Sequence, residues 1–258
     1  MTYHFKLEEV KVLVNVSMPV MLTGEKGSGK TTLAKQVAEA LDLDFYSISM
    51  TRQTTLSHLL GYMSVDGTYI PSILHKAITH GGLYLLDEID AGDANVLLSL
   101  NTIENGYLSF PTGIVECHKD FRLMSTANPQ NKHHHYTGRS KLDAATLDRF
   151  DIIDIDRDQK LEATLVDRET LRNMNILRKI VKNANSDIVV SMRDSLRYQT
   201  RKNLNVLNDF VYRLVGKSNL MFDNYNAKIK SLPKYADQSE CKTFPDLVNL
   251  LKSQQEVL

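Results

Sequence analysis

Gly24-Glu25-Lys26-Gly27-Ser28-Gly29-Lys30-Thr31 fits the pattern GxxxxGK[ST], and its flanks decide what that pattern means. The apolar run Pro19–Thr23 (PVMLT) stands before it and reads as a strand. KTTLAKQVAEAL follows, with Leu33, Val37, Ala38 and Leu41 at helical spacing and Lys35, Gln36 and Glu39 on the other side. Strand, glycine-rich turn and helix in that order form a cradle for phosphate. The glycines let the backbone close tightly so that successive N–H groups point inward, and the helix N-terminus adds partial positive charge. Gly24, Gly27, Ser28, Gly29, Lys30, Thr31 and Thr32 are therefore the candidate nucleotide-binding residues. Lys30 is a compact cation for the β- and γ-phosphates, and the Thr31 hydroxyl suits Mg²⁺.

Outward from this loop, short apolar runs alternate with helical patterns as far as Asp156, the mark of a parallel α/β sheet. Four further strands are expected at Phe45–Ser49, Leu83–Asp87, Phe121–Thr126 and Asp151–Ile155. The Leu83 run is the most continuously apolar, as a strand covered on both faces should be. Helices are expected at about 72–80 and 93–104, the second capped by Asp93. Gly61–Tyr69 and Asn105–Glu116 read as hairpins turning near Asp66-Gly67 and Pro111–Gly113, either contact loops or plain decoration. Beyond Ile155 the patterns turn helical, over 159–183, 192–215 and 246–255. The expected organisation is a five-stranded α/β core over 1–156 and a smaller helical domain over 157–258.

Composition narrows the class. The 258 residues are 42% hydrophobic and 24% charged, the mix of a folded soluble chain rather than a disordered one. No apolar run is long enough for a membrane span, and the acidic N-terminus lacks a signal peptide's apolar core. Only Cys117 and Cys241 are present, too few for a disulfide framework, so a cytoplasmic setting is expected. The 31 basic and 31 acidic residues balance, yet 13 and 19 of them lie in 1–156, leaving that part at −6 and the remainder at +6. A uniformly basic nucleic-acid binder would not look like this. Two ordinary solvated domains would, and so would subunits that meet acidic face to basic face.

Three further elements bear on whether a bound nucleotide is also split. Asp87 and Glu88 close the third strand, at the carboxyl edge where ligands of parallel sheets sit. Asp87 would hold Mg²⁺ and Glu88 would polarise the attacking water, while Asp90 reads as the cap of the following helix. Asn128, just past the fourth strand in FRLMSTANP, offers an amide to orient that water. Separately, these would be a solvated strand end and a turn residue.

With GEKGSGKTTLAK, GGLYLLDEIDAG, HKDFRLMSTANP and YTGRSKLDAATLDRF in place, residues 16–200 resemble the AAA+ ATPases. Within them the chain is similar to the helix-2-insert group that includes MoxR-type and CbbQ/NorQ proteins and the small cobaltochelatase subunit. The two hairpins match that group's insertions. The resemblance implies ATP and Mg²⁺ as cofactors, a homo-oligomeric (hexameric) ring, and a helical lid. It also implies that Arg149 is an arginine finger acting in a neighbouring subunit, with Arg139 in reserve, and that Arg193 is a second arginine sensor. Arg149 in a salt bridge with Asp148 or Asp151 is the plain alternative. Residues 216–258 match no part of the pattern.

His133-His134-His135 with Cys117-His118 lacks the spaced pairs of a zinc site and reads as a solvated loop. The reading that results is a Mg²⁺-dependent ATPase that remodels a partner protein or a metal-dependent enzyme. A kinase, a DNA-acting motor or loader, and an assembly scaffold with little turnover are the rivals.

Overall fold

The computed structural model describes residues 3–129, 142, 144–183 and 189–204. The chain divides into two compact units, Met1–Asp156 and Arg157–Leu258.

In chain order the first unit contains α1 (Leu7–Asn15), β1 (Val20–Thr23), α2 (Lys30–Ala40), β2 (Phe45–Ser49), α3 (Leu56–Leu60), the hairpin β3 (Tyr62–Met63) and β4 (Tyr69–Ile70), and α4 (Ile73–His80). It continues with β5 (Gly82–Asp87), α5 (Ala94–Leu98), the hairpin β6 (Tyr107–Phe110) and β7 (Gly113–Glu116), β8 (Phe121–Ala127), α6 (Ala144–Asp148) and β9 (Asp151–Asp154). Five strands form one parallel sheet in the order β2-β5-β8-β1-β9. This is the α/β phosphate-loop core expected from the strand pattern. Since every strand runs the same way, Thr23, Ser49, Asp87 and Ala127 all reach the same edge of the sheet.

Alternation along the strands builds a core on each face. Val20, Leu22, Leu83 and Leu85 face α1 and α2, meeting Val10, Val14, Leu33 and Val37. Met21, Tyr84 and Leu86 face the other way, into a core with Leu59, Leu74, Ile78 and Leu97. The phosphate loop is thus carried by a strand and a helix that are both clamped by packing.

Two helices differ from expectation. The stretch 93–104 is not one helix: α5 ends at Leu98, and a 3₁₀ turn follows over Asn101–Asn105. Leu97, Leu100 and Ile103 are all buried, and a period of three residues per turn keeps them on one side where an α-helix would rotate them apart. The Ser99 hydroxyl donates to the Val96 carbonyl at 2.6 Å and accompanies the change of winding. Asp93 does cap α5, accepting from the Asn95 N–H at 2.8 Å.

The second unit shows α7 (Gln159–Leu165), α8 (Arg168–Asn183) and α9 (Met192–Asn203). The expected single helix over 159–183 breaks at Val166, which is extended and buried, and Asp167 then caps α8 by accepting from the Thr170 N–H at 2.7 Å. The rest of the 192–215 pattern from 205 on, all of 246–255, and the 216–258 segment lie outside the described residues. Among the described residues no helix is long and apolar enough to cross a membrane.

Candidate functional site

The phosphate loop joins β1 to α2, and two of its glycines are there for backbone reasons. A Cβ on Gly24 would stand 2.2 Å from the Ile155 carbonyl oxygen, because β9 runs directly alongside. Gly29, the residue before α2, has φ +100°, in the region that side chains disfavour. Lys30 opens α2 and turns its ammonium back over the loop, donating to the carbonyls of Gly24 at 2.6 Å and Glu25 at 3.0 Å. The Ser28 hydroxyl is buried with no hydrogen-bond partner among the described residues, and it lies inside the loop next to Gly24. An orphaned donor beside a lysine and the open N–H groups of a helix start is a site suited to phosphate oxygens. Thr31 is half-buried in the first turn of α2 and Thr32 is exposed.

The first turn of α2 and the end of β8 bring two hydroxyls onto Asp87. The Thr31 hydroxyl lies 3.2 and 3.1 Å from its two carboxylate oxygens, and the Thr126 hydroxyl donates to Oδ1 at 2.5 Å. Asp87 and Thr31 are hard oxygen donors of the kind Mg²⁺ takes, one or two from protein with the remainder from water and phosphate. They fit that ion, and among the described residues no cluster of three His, Cys, Asp or Glu side chains suggests another metal. Cys117 is free and half-buried; His133, His134 and His135 lie outside the described residues.

Glu88 follows with φ 58° and ψ 45°, a left-handed conformation unusual for a residue with a side chain. Its N–H, turned out of the strand ladder, is taken by Thr126 Oγ1 at 2.8 Å. The turn gives Glu88 a different direction from Asp87, as adjacent residues with separate tasks require. Asp90 differs from expectation. It is buried and packed in the 3₁₀ turn Ile89–Ala91, with the Asn128 amide 3.5 Å from its carboxylate, and the cap of α5 is Asp93 instead. Asn128 is buried just beyond β8.

Arg149 lies between α6 and β9. Its Nε stands 2.6 Å from Glu104 Oε1, so its ionic partner is neither Asp148 nor Asp151. Arg139 lies outside the described residues. Arg193 is exposed in the first turn of α9, whose start is fixed by a capping box between Ser191 and Asp194. Sequence reasoning missed Thr126 and Glu104. A threonine inside an apolar strand has no local signature, although its place two residues before Asn128 is a signal that could have been used.

A model of the AAA domain (dynein-related subfamily) matches residues 19–150. The midasins of Giardia intestinalis and Dictyostelium discoideum are 30% and 32% identical over 139 and 148 residues. Those matches cover 51% and 54% of this chain and only 3% and 2% of the midasins, so the chain spans a small fraction of their length. An uncharacterized protein of Staphylococcus epidermidis is 23% identical over 189 residues, 68% of this chain and 70% of its own. Among solved structures, NtrX of Brucella abortus is similar with a TM-score of 0.50 at 15% identity, over 75% of this chain and 50% of that one. That likeness concerns the fold.

Proposed function

The chain belongs to the dynein-related AAA family, and on that premise we propose that it is a Mg²⁺-dependent ATPase of the helix-2-insert, MoxR-like type, working as a homo-oligomeric, hexameric ring. One observation carries this reading: Thr31 and Asp87, 56 residues apart, meet at 3.1–3.2 Å beside the lysine-bearing phosphate loop. ATP is the natural ligand of such a loop. The backbone N–H groups from Gly27 to Thr32 and the Lys30 ammonium hold the phosphates. Thr31 and Asp87 hold Mg²⁺, which when bound neutralises charge on the phosphate oxygens.

Glu88 takes the proton of the attacking water as its oxygen bonds to the γ-phosphorus and the bond to the bridging oxygen breaks, leaving ADP and phosphate. Asn128 orients that water. Arg149 meets the phosphates of a neighbouring subunit, where a planar, permanently charged group suits the transferring phosphoryl. The helical unit, residues 157–258, serves as the lid and contributes Arg193.

The client is a protein or a metal-dependent enzyme. Supporting this are the two hairpins between core elements, which carry exposed apolar side chains: Tyr62, Met63 and Val65 on one and Ile114 on the other.

The test is Glu88→Gln. ATP binding, followed by a fluorescent analogue, is expected to persist, while hydrolysis falls by roughly 10²–10⁴-fold. Turnover equal to that of the wild type removes Glu88 from the reaction, and absence of ATP turnover by the wild type itself overturns the ATPase reading.

A further inference from the structure

The Arg149–Glu104 pair involves a residue, Glu104, that lies outside the phosphate loop and pairs with the arginine assigned above to the neighbouring subunit's phosphates. Arg149 lies in the turn between α6 and β9, held by the Phe150 N–H to the Leu147 carbonyl at 3.2 Å. An arginine side chain in such a turn samples many rotamers, and reaching a phosphate in another subunit would require it to give up that freedom. Glu104 is fixed. It sits in the 3₁₀ turn beside the buried Ile103, and Leu108 and Phe110 anchor the following hairpin in the same core. Cys117 N–H closes that hairpin back onto the Gly106 carbonyl at 2.7 Å.

The contact runs through Nε, the inner nitrogen of the guanidinium. A guanidinium bound at Nε can still offer its two terminal amino groups to a planar anion, the fork that recognises phosphate. The pair also lines a pocket with Leu97, Leu100, Ile103, Leu123 and Phe150.

We propose that Glu104 is a positioning residue: it binds the Nε side of Arg149 and aims its terminal nitrogens outward, toward the phosphates of the adjoining subunit. This rests on the trans role given to Arg149 above. The pair is partly exposed, with side-chain exposures of 26% for Arg149 and 44% for Glu104. An ion pair of that kind biases a population by up to about fivefold rather than by orders of magnitude.

The experiment is a double-mutant cycle on ATP turnover of the full chain, at protein concentrations that saturate assembly, with single-turnover measurement where rates are low. Glu104→Ala is expected to lower kcat about three- to fivefold with the KM for ATP and the melting temperature unchanged. Glu104→Gln, which keeps an acceptor for Nε, is expected to recover part of the loss. In the Arg149→Ala background, Glu104→Ala is expected to do nothing further. An equal loss from Glu104→Ala with or without Arg149 overturns the proposal, as does an unchanged kcat in Glu104→Ala when Arg149→Ala is inactive. If Arg149→Ala alone keeps full turnover, the trans role itself fails, and the positioning role falls with it.

Discussion

Thr126 donates its hydroxyl hydrogen to Asp87 at 2.5 Å and, through the same oxygen, accepts the N–H of Glu88 at 2.8 Å. One buried oxygen on β8 therefore sets the direction of two consecutive acidic residues, Asp87 at the end of β5 and Glu88 just after it. It orients the Asp87 carboxylate for Thr31 and stabilises the left-handed turn at Glu88.

Removing that oxygen while keeping the shape should disturb both. In Thr126→Val the Glu88 N–H loses its partner, at a cost of about 1–3 kcal/mol. A melting temperature several degrees lower is expected, together with a kcat reduced at least tenfold, because Glu88 is no longer held in its turn. Thr126→Ser keeps the hydroxyl and should keep most of the activity. Steady-state kinetics and thermal melts of both variants check this, and equal behaviour of Val and Ser would remove the hydroxyl from the explanation.

The helical unit carries its own buried charge. Glu162 is fully buried between Arg157 at 2.7 Å and Arg178 at 2.6 Å, and it accepts from the Ser195 hydroxyl. Burial pushes the Arg178 pKa down, against the pull of Glu162. Glu162→Ala leaves two arginines facing each other without their counter-ion, and loss of one partner from a buried pair costs roughly 3–5 kcal/mol. Urea unfolding followed by circular dichroism should show the helical unit melting earlier. A midpoint equal to the wild type would mean that the cluster contributes little.

His75 supplies a pH dependence. Its ring sits edge-on between Tyr69, 5.3 Å away on one hairpin, and Phe110, 4.7 Å away on the other. Burial, with His80 nearby, pushes its pKa below the usual value. The unfolded chain takes up a proton near pH 6.5 while the folded chain does so only at lower pH. Stability is thus fully present above about pH 6.5 and is lost as pH falls from there through the folded pKa. The melting temperature of the wild type should drop more between pH 7 and pH 5 than that of His75→Phe, which keeps the ring. Identical pH slopes in the two proteins would exclude His75 as the source.

Much of the core was open to reading from the chain alone. The five strands of the sheet, helix α2 and both hairpins follow from patterns that repeat within ten residues: alternation, helical spacing, and glycines at turns. The breaks at Ser99 and Val166 were not, because a helical hydrophobic pattern also suits two shorter elements whose caps and neighbours interrupt it.

The phosphate loop, its flanking strand and helix, and the kind of chemistry that its lysine, threonine and acidic pair can do are all written in local stretches of the chain. Each of those depends on residues close together along the chain. Long-range packing set which side chains meet: Thr126 with Asp87 between adjacent strands, 39 residues apart, Glu104 with Arg149 between two turns, and Glu162 with its two arginines within the helical unit. Such pairings depend on strand order, on how turns and helices pack, and on the rotation of each element about its axis. These emerge from packing two apolar faces against helices, and no local pattern records them.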